Sequence, residues 1–213
     1  SSDVKFLPRL ECIKPDSKIW KIAMWGTVED FNFIENLTKC ELNLAELISK
    51  YKLKKGLGLQ FLDNSTKSIL VNDEINKYHY IPPSSIKRFY TPKNAFSRLE
   101  YGLTPKSKLL YEDYYKVKRG EKLRKISAFR RLGTKEAFIG PHVLIKEGLS
   151  DKKLCASYLI ENCSFNSKVF GISGKNEMIL KAITAIFNSD FAFYYLFLIS
   201  SSIGIEREEI KPN

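Results

Sequence analysis

The chain has 213 residues, 44% hydrophobic and 28% charged, with no low-complexity tract, enough for one large or two small cored domains and too apolar for an intrinsically disordered chain. Its 35 Lys and Arg outnumber 24 Asp and Glu, a formal net charge of +11 that points to a polyanionic partner rather than a cationic one. No N-terminal signal pattern is visible, so a cytoplasmic protein without membrane contact is expected.

In chain order, residues 19–25 (IWKIAMW) have the β-branched and aromatic character of a strand, ended by Gly26. Thr27 then reads as the N-cap of a helix through about Leu37, with Glu29 and Asp30 in its first turn. A second helix is predicted from about Leu42 to Lys50, since Leu44, Leu47, Ile48 and Tyr51 recur at helical spacing. Residues 55–58 (KGLG) read as a break and 59–62 as a strand, and Pro82-Pro83 marks a stiff turn.

Beyond that turn, short extended pieces are predicted at 86–90, 109–115 and 126–130, and firmer strands at 142–146 (HVLIK), 154–160 and 167–172. The last element is a helix over about 176–200, apolar nearly all round and therefore buried or docked on several neighbours. Lys181, Asn188, Ser189 and Asp190 interrupt its apolar run, and the uninterrupted part, 191–199, is too short to span a bilayer. The expected fold class is α+β, with mixed or antiparallel strands and a long apolar C-terminal helix. A division into an N-terminal α/β lobe (1–80) and a basic segment with strands and the terminal helix (81–213) is the simplest organisation, one continuous domain being the alternative.

The charge is not spread evenly. Residues 87–135 hold 15 Lys and Arg against four acids, which leaves 20 against 20 in the rest of the chain. Eight aromatics lie in the same stretch: Phe89, Tyr90, Phe96, Tyr101, Tyr111, Tyr114, Tyr115 and Phe129. Confined charge makes a directional field, and its natural target is nucleic acid. Lys87, Lys93, Lys106, Lys108, Lys116, Lys118, Lys122, Lys125 and Lys135 are candidates for neutralising phosphates. Arg88, Arg98, Arg119, Arg124, Arg130 and Arg131 have, in addition, the forked donors that grip guanine O6 and N7. The run 116–125 (KVKRGEKLRK) reads as a loop tip that could enter a groove.

Catalytic signatures are missing. GxGxxG, P-loop, GxSxG and HExxH sequences do not occur. Cys12, Cys40, Cys155 and Cys163 form no CxxC pair, and His79 and His142 are far apart in sequence, so idle thiols are expected rather than a zinc site. Glu147 beside Lys146 reads as a solvated or salt-bridged acid rather than a metal ligand. Residues 81–84 (IPPS) lack both the leading amide or acid and the trailing aromatic of the Asn/Asp-Pro-Pro-aromatic motif of amino-methylating DNA methyltransferases, and read as a turn.

A family resemblance emerges in the last third. It rests on 140–148 (GPHVLIKEG), 155–158 (CASY), 163–166 (CSFN), 169–174 (VFGISG), 180–182 (LKA), 186–189 (IFNS), 194–197 (YYLF) and 200–207 (SSSIGIER). Together these resemble the target-recognition region of bacterial N6-adenine DNA methyltransferases of restriction–modification and phage-defence systems, including fused type IIG-like enzymes. The likeness covers about 138–209, with a weaker match upstream at 44–50, 56–60 and 81–82, and departs at Ile203, where relatives carry Trp.

The resemblance implies a non-catalytic domain that selects a sequence in double-stranded DNA. A separate catalytic domain in cis would bind S-adenosylmethionine and methylate adenine, so this chain reads as a piece of a larger enzyme with no cofactor of its own. Within the matched part, Lys146 ends a strand and is a further candidate phosphate contact, and Arg207 either pairs with Glu206 or caps the helix before it. Two other classes remain open: a protein-interaction module docking through the apolar helix, and a cryptic nuclease or modification enzyme with unusual motifs.

Overall fold

The computed structural model describes residues 5–14, 18–40, 42–61, 79–92, 129–131, 133–151 and 153–200. Four helices come first: α1 (Arg9–Cys12), α2 (Ile19–Trp25), α3 (Val28–Thr38) and α4 (Leu44–Lys50). Among the described residues nine strands follow: β1 (Lys54–Leu57), β2 (Gln60–Phe61), β3 (His79–Ile81), β4 (Phe89–Tyr90), β5 (Phe129–Arg131), β6 (His142–Lys146), β7 (Ala156–Leu159), β8 (Cys163–Phe165) and β9 (Val169–Ser173). Helices α5 (Glu177–Phe187) and α6 (Asp190–Ile199) close the described chain. The class is mixed α+β with a mixed sheet.

The central sheet runs β1-β9-β6-β7-β4. Antiparallel pairing joins β1, β9, β6 and β7, whereas β4 adds to β7 in parallel. Two smaller pairs are β2 with β5, antiparallel, and β3 with β8, parallel. Every described strand from 54–90 therefore pairs with one from 129–173.

β6 lies at the centre, buried from His142 to Ile145, as a strand covered on both faces should be. On one face Val143, Ile145, Ala156 and Ile172 pack with Leu180 and Ile183 of α5, and with Leu44, Leu47 and Ile48 of α4. The other face carries Leu144, and near it the Phe138 and Phe165 rings meet edge to face at 4.9 Å. A separate helical cluster joins Ile22 of α2, Ile34 of α3 and Leu198 of α6.

Three local expectations change. Residues 19–25 form helix α2, not a strand. Ile19 and Ile22 sit one helical turn apart and are buried, while Trp20, Met24 and Trp25 face outward, so docking on α3 and α6 decides what a short apolar run leaves ambiguous. Residues 55–58 are not a break: most of them lie in edge strand β1, where Gly56 stands opposite Gly171. A Cβ on Gly56 would come within 2.2 Å of Thr134, and one on Gly171 within 2.6 Å of the Phe165 ring, so both glycines make room for close packing.

The third correction concerns the C-terminus. The long apolar helix expected over 176–200 is two helices, α5 and α6, bent by 66° at Asn188-Ser189. Ser189 restarts the chain as an N-cap, accepting from the Ala192 N–H at 3.1 Å while its hydroxyl donates to the Ile186 carbonyl at 2.6 Å. Among the described residues no single helix is long and apolar enough to cross a membrane.

Thr27 caps α3 in a capping box with Asp30, and Asn43 caps α4 with Glu46. Strand β6 has the bounds expected, β7 and β9 differ from expectation at their ends, and β8 was not anticipated. The predicted piece at 109–115 lies outside the described residues.

Candidate nucleic-acid interface

The sheet edge at β4 shows how part of the basic segment is held. β7 has Ala156 opposite Ile145 of β6, and Lys146 N–H donates to the Cys155 carbonyl at 2.9 Å. In an antiparallel ladder this turns both backbone groups of Ala156 away from β6, toward the side where β4 would lie. Yet β4 begins its pairing one residue later, at Ser157. The Asn188 carboxamide takes the place of the missing strand residue. Its Oδ1 accepts from Ala156 N–H at 3.1 Å, and its Nδ2 donates to the Ala156 carbonyl at 2.7 Å and the Thr184 carbonyl at 2.8 Å.

Arg88 completes this joint. Its Nε donates to Asn188 Oδ1 at 3.4 Å and its Nη2 to the Asn188 carbonyl oxygen, capping the C-terminal end of α5 with a cation. The structure thus gives Arg88, a candidate base reader, a structural anchor in the fold. What draws attention to Asn188 in the sequence is only that it interrupts an apolar run.

Lys87, Arg88 and Lys146 are brought to one corner. All three cations act on the Cys155 thiol, whose pKa is raised by burial and is drawn down, less strongly, by Lys146, a hydrogen bond with Ser150, Arg88 and Lys87. Lys87 is exposed, and Lys146, half-buried, donates from Nζ to Ser150 Oγ at 2.6 Å. Phe89 and Tyr90 project beside them, 54% and 59% exposed.

The remaining candidates fall elsewhere. Lys135 opens a 3-10 turn (Lys135–Phe138) that packs on β1 and β9, toward the opposite edge of the sheet. The edge strands β1 and β4 are four spacings apart, about 19 Å. Arg130 and Arg131 lie in β5. Lys93, Arg98, Lys106, Lys108, Lys116, Lys118, Arg119, Lys122, Arg124 and Lys125 lie outside the described residues, as does Arg207.

A second polar pair lies inside the fold. His142 Nδ1–H donates to the Ala137 carbonyl at 2.9 Å, leaving Nε2 to accept from the Cys163 thiol at 3.1 Å. Both side chains are fully buried. Burial pulls the His142 pKa down to about 4, against smaller opposing effects of the Ala137 hydrogen bond and Glu161. Burial first, and Glu161 second, push the Cys163 thiol well up. A neutral imidazole beside a protonated thiol, closed to solvent, has neither a nucleophile nor an access path. It is a structural contact, not a catalytic dyad.

This pair has a consequence for acid stability. The imidazole protonates near pH 6.5 once unfolded but only near pH 4 when folded, so the unfolded state binds more protons between those values. Its contribution is complete above pH 6.5 and is lost as pH falls to about 4, by about 3 kcal/mol. Urea midpoints measured across this window should fall for the wild type and flatten for His142→Gln. Parallel slopes for the two proteins would contradict the assignment.

Among the described residues, no group of three or more His, Cys, Asp or Glu side chains is placed to hold a metal ion. In comparisons with known proteins, no family model and no curated protein matches the chain.

Proposed function

We propose that this chain is the sequence-specific DNA-recognition domain of an adenine-N6 methyltransferase or fused restriction–modification enzyme. The observation that carries the proposal is the confinement of the whole positive surplus to 87–135 in an otherwise neutral chain. The corner formed by Lys87, Arg88 and Lys146 supports it, because cations from the basic segment and from β6 converge there. In this reading lysines hold phosphates and set the register, while arginines and polar side chains from the basic segment read base edges in the major groove. Base flipping and methyl transfer belong to a separate domain that binds S-adenosylmethionine. Apolar side chains in the N-terminal part are available for contact with such a domain: Phe6, Leu10, Trp20 and Met24 are all more than half exposed.

Binding to duplex DNA, followed by anisotropy at increasing salt, tests the proposal. Neutralising about four phosphates predicts an affinity loss of about 100-fold between 50 and 200 mM salt. Absence of binding at low salt would instead favour the protein-interaction reading, in which the apolar C-terminal segment docks a partner; Met178 and Ile186 of α5 and Phe191 of α6 are exposed there. Cleavage of plasmid DNA with divalent metal, or methyl transfer from labelled S-adenosylmethionine, by the chain alone would refute a purely recognising role.

A further inference from the structure

Phe89 stands out by its backbone. It has φ of +67°, and the Tyr90 N–H donates to the Arg88 carbonyl at 2.9 Å, two residues back across it. A hydrogen bond of that span around a positive φ is the rarer, strained form of the γ-turn, and a bulky aromatic is an unfavourable residue to place there. The strain is held from both sides. Before it, Arg88 is pinned on Asn188. After it, the buried Thr91 hydroxyl accepts from Lys87 N–H at 3.0 Å and meets Ser157 Oγ at 2.8 Å.

This arrangement does not serve burial, since the ring remains 54% exposed. The Arg88 guanidinium lies 5.5 Å from the ring centroid, and the exposed Lys87 is two residues away. An exposed ring, fixed in an orientation that costs free energy and flanked by cations, is a presented contact. Strain that the surrounding structure over-determines is characteristic of ligand contacts. Cations that take phosphates beside an aromatic face that takes a base are the pairing used to hold unstacked nucleotides.

We infer that Phe89 stacks on an unpaired base of the bound DNA, with Lys87 and Lys146 on the flanking phosphates. The inference rests on the DNA-recognition reading and assigns a chemical role to one residue within it. Glycine adopts positive φ without strain, so Phe89→Gly removes the ring while leaving the turn at least as favourable. Two duplexes serve as probes, one fully paired and one carrying a single unpaired 2-aminopurine.

Phe89→Gly should weaken binding to the unpaired-base duplex by about tenfold, change binding to the paired duplex much less, and leave the thermal midpoint unchanged or raised. Wild type, and Phe89→Trp, should quench the 2-aminopurine fluorescence; Phe89→Gly should not. Equal affinity and equal quenching for wild type and Phe89→Gly would overturn the stacking role alone. Failure of the wild type to bind either duplex at low salt would overturn the DNA-recognition reading itself.

Discussion

Replacing Lys118, Arg119, Arg124 and Lys125 together with Glu is expected to abolish duplex binding, with a loss of about 10³-fold or more at low salt. Each phosphate contact releases condensed counterions, so its loss both weakens binding and flattens the dependence on salt. Reversal goes further than neutralisation, because each Glu repels the phosphate its predecessor attracted. The four residues are drawn from the densest basic run of the chain, 116–125, in which Glu121 is the only acid. Anisotropy with a fixed duplex at 50 mM salt measures the loss, and circular dichroism verifies that the variant is folded. Unchanged affinity in a folded variant would reduce the basic run to a solvated surface and remove the main support for the proposed function.

The largest stability effect is expected at Asn188. Asn188→Ala strips partners from both backbone groups of Ala156 and from the Arg88 Nε. Buried polar groups left unpaired cost about 1–3 kcal/mol each, so a total near 4 kcal/mol is expected, a large share of a typical folding free energy. Asn188→Asp tests the geometry more finely. It keeps an acceptor for the Ala156 N–H but offers no donor to the Ala156 and Thr184 carbonyls, and it buries a carboxylate against them. It should therefore destabilise despite the shape match and despite the neighbouring arginine. Denaturant titration of both variants, alongside Arg88→Met, gives the ledger. A loss below about 1 kcal/mol for Asn188→Ala would mean that the joint contributes little to holding the fold.

Beyond the bend, Tyr194 of α6 is held on Asp30 of α3. The Tyr194 hydroxyl donates to Asp30, and this bond is the main reason the Asp30 carboxyl lies below its ordinary range. The bend thus places α6 against α2 and α3, where Leu198 meets Ile22 and Ile34. A straight continuation of α5 would point away from the direction that the 66° turn gives α6.

Features governed by neighbours in the chain were legible in advance. Thr27 just ahead of Glu29 and Asp30 reads as an N-cap, and it caps α3. HVLIK is β-branched and apolar between glycine-containing turns, and it is strand β6 with those bounds. Asn188 and Ser189 were visible as polar interruptions in an apolar run. Their effect was not, because whether a buried amide is tolerated within one helix or ends it depends on which backbone groups lie opposite. The run IWKIAMW likewise fits either a strand or a helix until its partners are known. In the candidate interface, the gathering of Lys87, Arg88 and Lys146 depends on the parallel addition of β4 to β7 across a long separation in sequence.

Composition and order along the chain determine on their own that the positive charge is local, that aromatics share its segment, and that the described fold mixes helices with strands. These are sums and short-range patterns, which need no knowledge of what meets what. Only the tertiary structure decides that Arg88 serves the Asn188 joint while Lys87 stays exposed, and that Phe89 is displayed on a strained turn instead of buried. The physical reason is one of pairing. A charged or aromatic side chain is equally suited to fold or to ligand, and the choice is made by whichever unsatisfied backbone group or open surface the folded chain sets beside it.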